Sequence, residues 1–199
     1  MAQLRAAASI VHKEGTLKKS MIALLALCSC VIASQDAMAE GNLGLRAAGV
    51  QVGMVNPEDV DATLGFGAFA DWGSLTPNIK LVSHLDYWSK SEGSAPFGEA
   101  TIRDVALSMR GKYMFPVSSS TFQPFAGVGI GLHFLNAKVE VPGFPAIEDG
   151  TTKIGFDFGG GFSRPINPRM DFQAETWYGV VDGFNQFSLK GGLAFKLGM

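Results

Sequence analysis

Phe122-Gln123-Pro124-Phe125-Ala126-Gly127-Val128-Gly129-Ile130-Gly131-Leu132-His133-Phe134 is the stretch that decides the fold. Its even positions carry Phe122, Pro124, Ala126, Val128, Ile130, Leu132 and Phe134; its odd positions carry Gln123, Phe125, Gly127, Gly129, Gly131 and His133. Successive side chains of a strand point to opposite faces, so this period-2 pattern describes a strand between two different environments. One environment takes bulky apolar groups, and the other takes small and polar ones.

The same division recurs downstream. Ile154, Phe156, Phe158 and Phe162 alternate with Lys153, Gly155, Asp157, Gly159, Gly161 and Ser163. Met170, Phe172, Ala174 and Tyr178 oppose Asp171, Gln173 and Glu175. Phe187, Leu189, Leu193, Phe195 and Leu197 oppose Gln186, Ser188, Lys190, Gly192 and Lys196. Upstream the pattern is looser but present around Leu64–Trp72, Ile79–Tyr87 and Asp104–Phe115. A first strand near Asn42–Met54 changes phase at Ala48-Gly49, which reads as a β-bulge. In a soluble barrel or sandwich the bulky residues point inward. Here the bulky face is almost free of charge while the other mixes glycine with Lys, Asp, Glu, His and Gln, as the crowded lumen of a small barrel requires. The expected fold is all-β: a closed antiparallel up-and-down transmembrane barrel of about eight strands. A secreted soluble barrel binding a small apolar ligand has the same period with the faces exchanged, and stands as an alternative.

Composition agrees. Of 199 residues 17% are charged and 25 are glycine, against about 25% and about 7% in average proteins. Beyond the leader no apolar run approaches the ~20 residues of a membrane helix. Residues 40–199 hold 12 Lys and Arg against 16 Asp and Glu, a net charge of −4, so nothing suggests nucleic acid.

Residues 1–39 read as a signal peptide. Lys18 and Lys19 precede the apolar stretch Met21–Ile32, and Ala37-Met38-Ala39 offers small residues to a signal peptidase. Residues 1–16 are long and polar for such a leader, which suggests a true start at Leu17. Both cysteines, Cys28 and Cys30, fall inside it, so the expected mature barrel, residues 40–199, has neither disulfides nor a cysteine nucleophile. Leu27-Cys28-Ser29-Cys30 also fits a lipoprotein signal, a reading that would leave Ala-Met-Ala without a purpose.

Segments 74–78, 116–121 and 164–169 read as short turns with proline in or beside them, and 90–98 and 136–152 as longer connections. Periplasmic termini would put the longer ones outside the cell. They are acidic, with Glu92, Glu140, Glu148 and Asp149, as are Glu58, Asp59, Asp61 and Asp182 in the other outer connections. Trp72, Tyr87, Trp88, Tyr113, Trp177 and Tyr178 read as interfacial girdle residues.

Tyr113-Met114-Phe115-Pro116, the Phe122–Gly131 phrase and the closing strand together resemble the outer membrane β-barrel family of the outer membrane protein A and X kind. The resemblance covers residues 41–199. It implies an outer membrane location in a Gram-negative bacterium after export across the inner membrane. It also implies recognition of the last strand, through Phe195, Leu197 and Met199, by the barrel-assembly machinery; Met199 stands where the family usually has phenylalanine.

The candidate site is a polar network inside the lumen. Arg46, Lys80, Arg110, Lys112, Lys153 and Lys190 face Asp71, Asp86, Asp104, Asp157, Asp171 and Glu175, with His84 and His133 among them. Charges in a narrow low-dielectric space must be paired, so the network reads as a salt-bridged plug that fixes register; a gated small pore is the alternative. An outer membrane lipid-modifying enzyme is a further alternative, with His84, Asp86 and Ser89 or Ser91; Ser83 lies on the opposite face from its neighbour His84. Gly159-Gly160-Gly161 lacks the Gly-Lys-Ser/Thr of a phosphate loop. No cofactor and no metal ligand spacing is expected. The expected role is structural, in envelope integrity, or in surface interaction, without an open general porin channel. Partners would be outer membrane lipids, lipopolysaccharide and the assembly machinery, around a monomeric chain.

Overall fold

A computed structural model describes residues 42–94, 98–118 and 121–197. The leader, both cysteines and Met199 lie outside the described residues. Eight strands follow in order: β1 (Asn42–Pro57), β2 (Thr63–Thr76), β3 (Ile79–Ser94), β4 (Gly98–Met114), β5 (Gln123–Glu140), β6 (Ile147–Asn167), β7 (Met170–Val181) and β8 (Phe184–Lys196). Each pairs antiparallel with its sequence neighbour, and β1 pairs with β8 from Ala47↔Lys196 to Pro57↔Gln186, closing the barrel.

Turn chemistry explains the tight ends. Pro77-Asn78 joins β2 to β3 and Pro168-Arg169 joins β6 to β7, where the Asn167 side chain accepts from the Arg169 N–H at 2.9 Å. Asp182-Gly183 joins β7 to β8 with Gly183 at φ +74°, the left-handed backbone a two-residue hairpin demands.

The faces are those of a membrane barrel. Val128, Phe156, Phe158, Leu64, Phe66, Leu85, Leu189 and Val50 are exposed on the outside. The most deeply buried large side chains include His84, His133, Glu175 and Asp104. This inversion sets aside the soluble barrel with an apolar interior.

Three sequence expectations along the strands need correction. Segments 74–78 and 164–169 narrow to Pro77-Asn78 and Pro168-Arg169, because β2 runs to Thr76 and β6 to Asn167. The irregularity in β1 lies between Leu43 and Ala47, where pairing to β2 jumps from Gly73 to Asp71, rather than at Ala48-Gly49. From Ala47 onward the phase is unbroken, with Ala47, Gly49 and Gln51 buried and Val50, Val52 and Met54 outside. Alanine and glycine carry too little side chain to report a face. Segments 90–98 and 136–152 are mostly strand: β3 runs to Ser94, and β5 and β6 are separated only by residues 141–146. Above the lipid both faces meet water, so the sequence contrast disappears while the backbone ladder continues.

That continuation is uneven. β2 last pairs with β3 at Gly65↔Trp88, and β7 last pairs with β6 at Gly155↔Val181. Beyond these points β3–β6 rise as a four-stranded sheet, aligned as Ser89↔Arg103, Arg103↔Asn136 and Asn136↔Gly150. At about 3.3 Å per residue the extension reaches roughly 15–20 Å along the strands.

Val128, 68% exposed, sits midway along the apolar face of β5. Val128→Arg is expected to lower stability by about 2–4 kcal/mol in denaturant unfolding from lipid vesicles, whereas Lys138→Arg, on the extension, leaves it unchanged.

Candidate functional site

The lumen is layered, and its middle layer is ionic. Arg110 and Lys112 point inward from β4, two residues apart on one face. Arg110 donates from Nε to Asp157 of β6 at 2.9 Å and stands 3.6 Å from Asp86 of β3 and 3.8 Å from Glu175 of β7. Lys112 donates to Glu175 at 2.6 Å, and Lys190 of β8 to Asp86 at 2.6 Å. Gln51 of β1 completes Asp86 at 2.8 Å. Three cations thus meet three carboxylates, all nearly inaccessible to solvent, and formal charge cancels within the layer. His84 lies at its edge, with Nδ1 3.7 Å from Glu175 and 3.4 Å from the Gln51 amide.

Aromatic rings and glycines give this layer its shape. The Arg110 guanidinium lies 4.4 Å from the Trp177 ring centre, and the Lys112 ammonium lies 4.7 Å from that of Phe125, distances typical of cation–π contact. A Cβ on Gly127 or Gly159 would come within 2.9 Å of Trp177, so the two glycines clear the space that the indole fills.

The remaining expected lumen residues lie in other layers. Toward the far end Asp104 meets His133 Nδ1 at 2.8 Å, both buried. Above them Val55, Trp88, Leu135, Val181 and Phe184 form an apolar cap, with the Trp88 and Phe184 rings stacked 5.9 Å apart. Lys153 stands at the far rim, bonded at 2.8 Å to Asp182, whose carboxyl it holds below the usual aspartate range. At the terminal end Asp71 pairs with Lys80 at 3.2 Å and Asp171 with Lys196 at 2.8 Å. Arg46 is exposed there, its guanidinium donating to Asn42 Oδ1. Of the fourteen residues expected in one network, the structure gathers seven in and around the ionic layer, Asp104 and His133 near the cap, and Arg46, Asp71, Lys80, Lys153 and Asp171 at the two rims.

Trp88 and Trp177 correct the girdle expectation: both are buried in the lumen. Their signal was parity, since Trp88 shares a face with Asp86 and Trp177 with Glu175. Gln51 and Gln173, absent from the expected set, were legible in the same way. The outer-face girdle keeps Trp72, whose indole N–H donates to Ser83 at 2.9 Å, together with Tyr87, Tyr113 and Tyr178.

Catalytic geometry is missing from the expected serines. Ser89 Oγ donates to the Ile102 carbonyl and Ser91 bonds Thr101, while Asp86 is held by Lys190 and Gln51. Among the described residues no group of three His, Cys, Asp or Glu side chains is placed to hold a metal.

A closed eight-stranded barrel with an apolar outer band and a charged, filled interior defines a transmembrane barrel of the outer membrane type. The chain belongs to the outer membrane protein beta-barrel domain family, whose model matches residues 22–196, and it is an outer membrane protein. Solved structures share the fold. Ail, the attachment invasion locus protein of Yersinia pestis, crystallised with the heparin analogue sucrose octasulfate, matches at 11% identity and a TM-score of 0.55, covering 79% of this chain and 99% of that one. Neisserial surface protein A matches at 19% identity and 0.51, covering 76% and 96%. A major outer membrane protein of Thermus thermophilus matches at 12% and 0.55, covering 76% and 99%. No curated protein matches the sequence.

Removing one member of a buried ion pair strands its partner, at about 3–5 kcal/mol. Lys112→Met is expected to cost that much in vesicle unfolding, and adding Glu175→Gln to recover at least half. A double variant no more stable than the single one would show that the two groups do not depend on each other.

Proposed function

We propose that the protein is a non-enzymatic surface barrel whose working part is the sheet that β3–β6 raise beyond the far end. The observation that carries this reading is the pair of open edges. Past Ser89 on β3, whose carbonyl still accepts from the Thr63 hydroxyl at 2.9 Å, and past Gly155 on β6, the described backbone groups have a strand neighbour on one side only. An unpaired strand edge is a template for an added strand. The ion pair Arg103–Glu148 at 2.8 Å and the Ser91–Thr101 bond brace the sheet between its edges.

Glu92, Glu99, Glu140, Glu148 and Asp149 outnumber Lys90, Arg103, Lys138 and Lys153 on this extension. An extended basic segment therefore suits it better than the sulfated ligand carried by the Ail structure. With termini and short turns in the periplasm, the sheet faces outward from the cell. Lipid and lipopolysaccharide lie against the apolar band, and the assembly machinery inserts the chain. One chain is the working unit, because closure leaves no sheet edge within the band. Between the barrel's two ends stand the ionic layer and the apolar cap, which argue against an open general porin.

The test compares the mature chain in lipid vesicles with a version whose β3–β4 and β5–β6 hairpins are cut back to the barrel rim. Both are expected to show heat-modifiable migration, and a fluorescent alternating Lys-Val peptide to bind the shortened barrel at least tenfold more weakly. Equal binding would overturn the surface reading. In cells lacking the protein, the shortened barrel is expected to restore detergent resistance as fully as the complete chain. Lipid A acyl patterns are expected to be the same with and without the protein, and a changed pattern would overturn the non-enzymatic reading.

A further inference from the structure

Among the described residues the lumen holds a cavity at its terminal end. With a volume of about 270 Å³, it reaches inward to Lys112 and Phe125, where the ionic layer begins. We propose that this vestibule binds a compact organic monoanion: an acid group carrying a ring or short apolar body, taken up from the periplasmic side.

Charge, an unpaired donor and wall chemistry converge on that ligand. Arg46, Lys80 and Lys196 face Asp71 and Asp171 at the mouth. Lys80 donates to Asp71 and Lys196 is ion-paired with Asp171, whose Oδ1 has no hydrogen-bond partner among the described residues, which leaves Arg46 as the surplus cation. Its side chain bonds the neutral Asn42 amide, and its carbonyl is pinned by the Leu197 N–H at 2.7 Å.

The second observation is Gln173 on the vestibule wall, 8% exposed, whose Nε2 has no hydrogen-bond partner among the described residues. A buried amide donor left unmade costs roughly 1–3 kcal/mol, and a turn of the Gln173 side chain toward the cavity would bring it to an acid oxygen there. It pairs across the ladder with Gly192 of β8, over which the Gln51 side chain already packs. Phe69, Val82, Met114 and Phe125 supply apolar wall beside these donors. The volume falls just below the ~300–1,000 Å³ of pockets for drug-sized ligands, which limits the body to a single ring or short chain.

The inference is independent of the role proposed for the far-end sheet. It is tested on the refolded mature chain by 19F NMR titration with 4-fluorobenzoate, its neutral counterpart 4-fluorobenzamide, and competition by inorganic phosphate. Benzoate is expected to bind saturably, and benzamide and phosphate each at least tenfold more weakly. Arg46→Gln and Gln173→Leu are each expected to weaken benzoate by roughly three- to tenfold, in line with the loss of one hydrogen bond to a charged group. Arg103→Gln, on the projecting sheet, should leave it unchanged; heat-modifiable migration checks that every variant is folded. Equal affinity for benzamide would reduce the effect to partitioning into an apolar site. Equal affinity for phosphate would reduce it to an adventitious ion only. Benzoate binding that ignores both variants would place any site elsewhere. Each of these results overturns the proposal.

Discussion

A closed ring of eight strands has an interior too narrow for bulk water and too polar for oil, so its charges must be neutralised by one another. Arg110 is the centre of that neutralisation. Through Asp157, Asp86 and Glu175 it links β4 to β6, β3 and β7, and through Lys190 and Gln51 the chain of contacts reaches β8 and β1. β2 and β5 contribute by omission. A Cβ on Gly67 would collide with Asp86, and one on Gly129 with the Arg110 side chain. Every strand therefore supplies either a charged or amide group or the space that such a group needs. Sliding any strand by one residue would turn its contribution into the lipid, and the ionic layer makes that error costly all round the ring.

The barrel was legible because lipid and lumen demand opposite things of adjacent residues. Val128-Gly129-Ile130-Gly131 could hardly be written more plainly, and β5–β8 were readable almost residue by residue. Legibility failed where either demand weakened. Ala48 and Gly49 suit both faces, so the bulge was misplaced by a few residues. Past Trp88 and Asn136 both faces meet water, so strands looked like loops. The candidate network was legible as a set of inward-facing residues, but its layering was not. Asp104 and Lys112 are alike in the alternation, yet one pairs with a histidine beneath an apolar cap and the other with Glu175. That distinction depends on the shear between strands, which no single strand encodes. Tryptophan near a strand end suggests an interface, but parity with Asp86 and Glu175 puts Trp88 and Trp177 inside.

The two ends of the molecule differ in kind. At the terminal end the ladder stops near the edge of the apolar band, and the lumen opens into a charged vestibule. At the far end an apolar cap packs across the lumen, and the sheet of β3–β6 carries on into solvent. One backbone pattern thus serves three surroundings, and side chains alone tell them apart. Exposed Val141, Phe144 and Ile147 at the tip of the β5–β6 hairpin belong to the extension, well clear of the lipid-facing band.

The pairing of β1 with β8 joins residues as distant as Ala47 and Lys196. Every other ladder joins neighbours in sequence and can form as the chain arrives; this seam must wait for the last strand. Until then β1 has one unpaired flank, the condition in which strands recruit the wrong neighbour. The loop to be closed spans nearly the whole domain, so the seam is the slowest contact to gain by local search. Bulged near its start and rich in alanine and glycine, β1 makes a poor template for strangers during that wait. Its side-chain layer becomes selective only when Lys190 and Gln51 can share Asp86, which ties proofreading of the closure to the same carboxylate that serves Arg110.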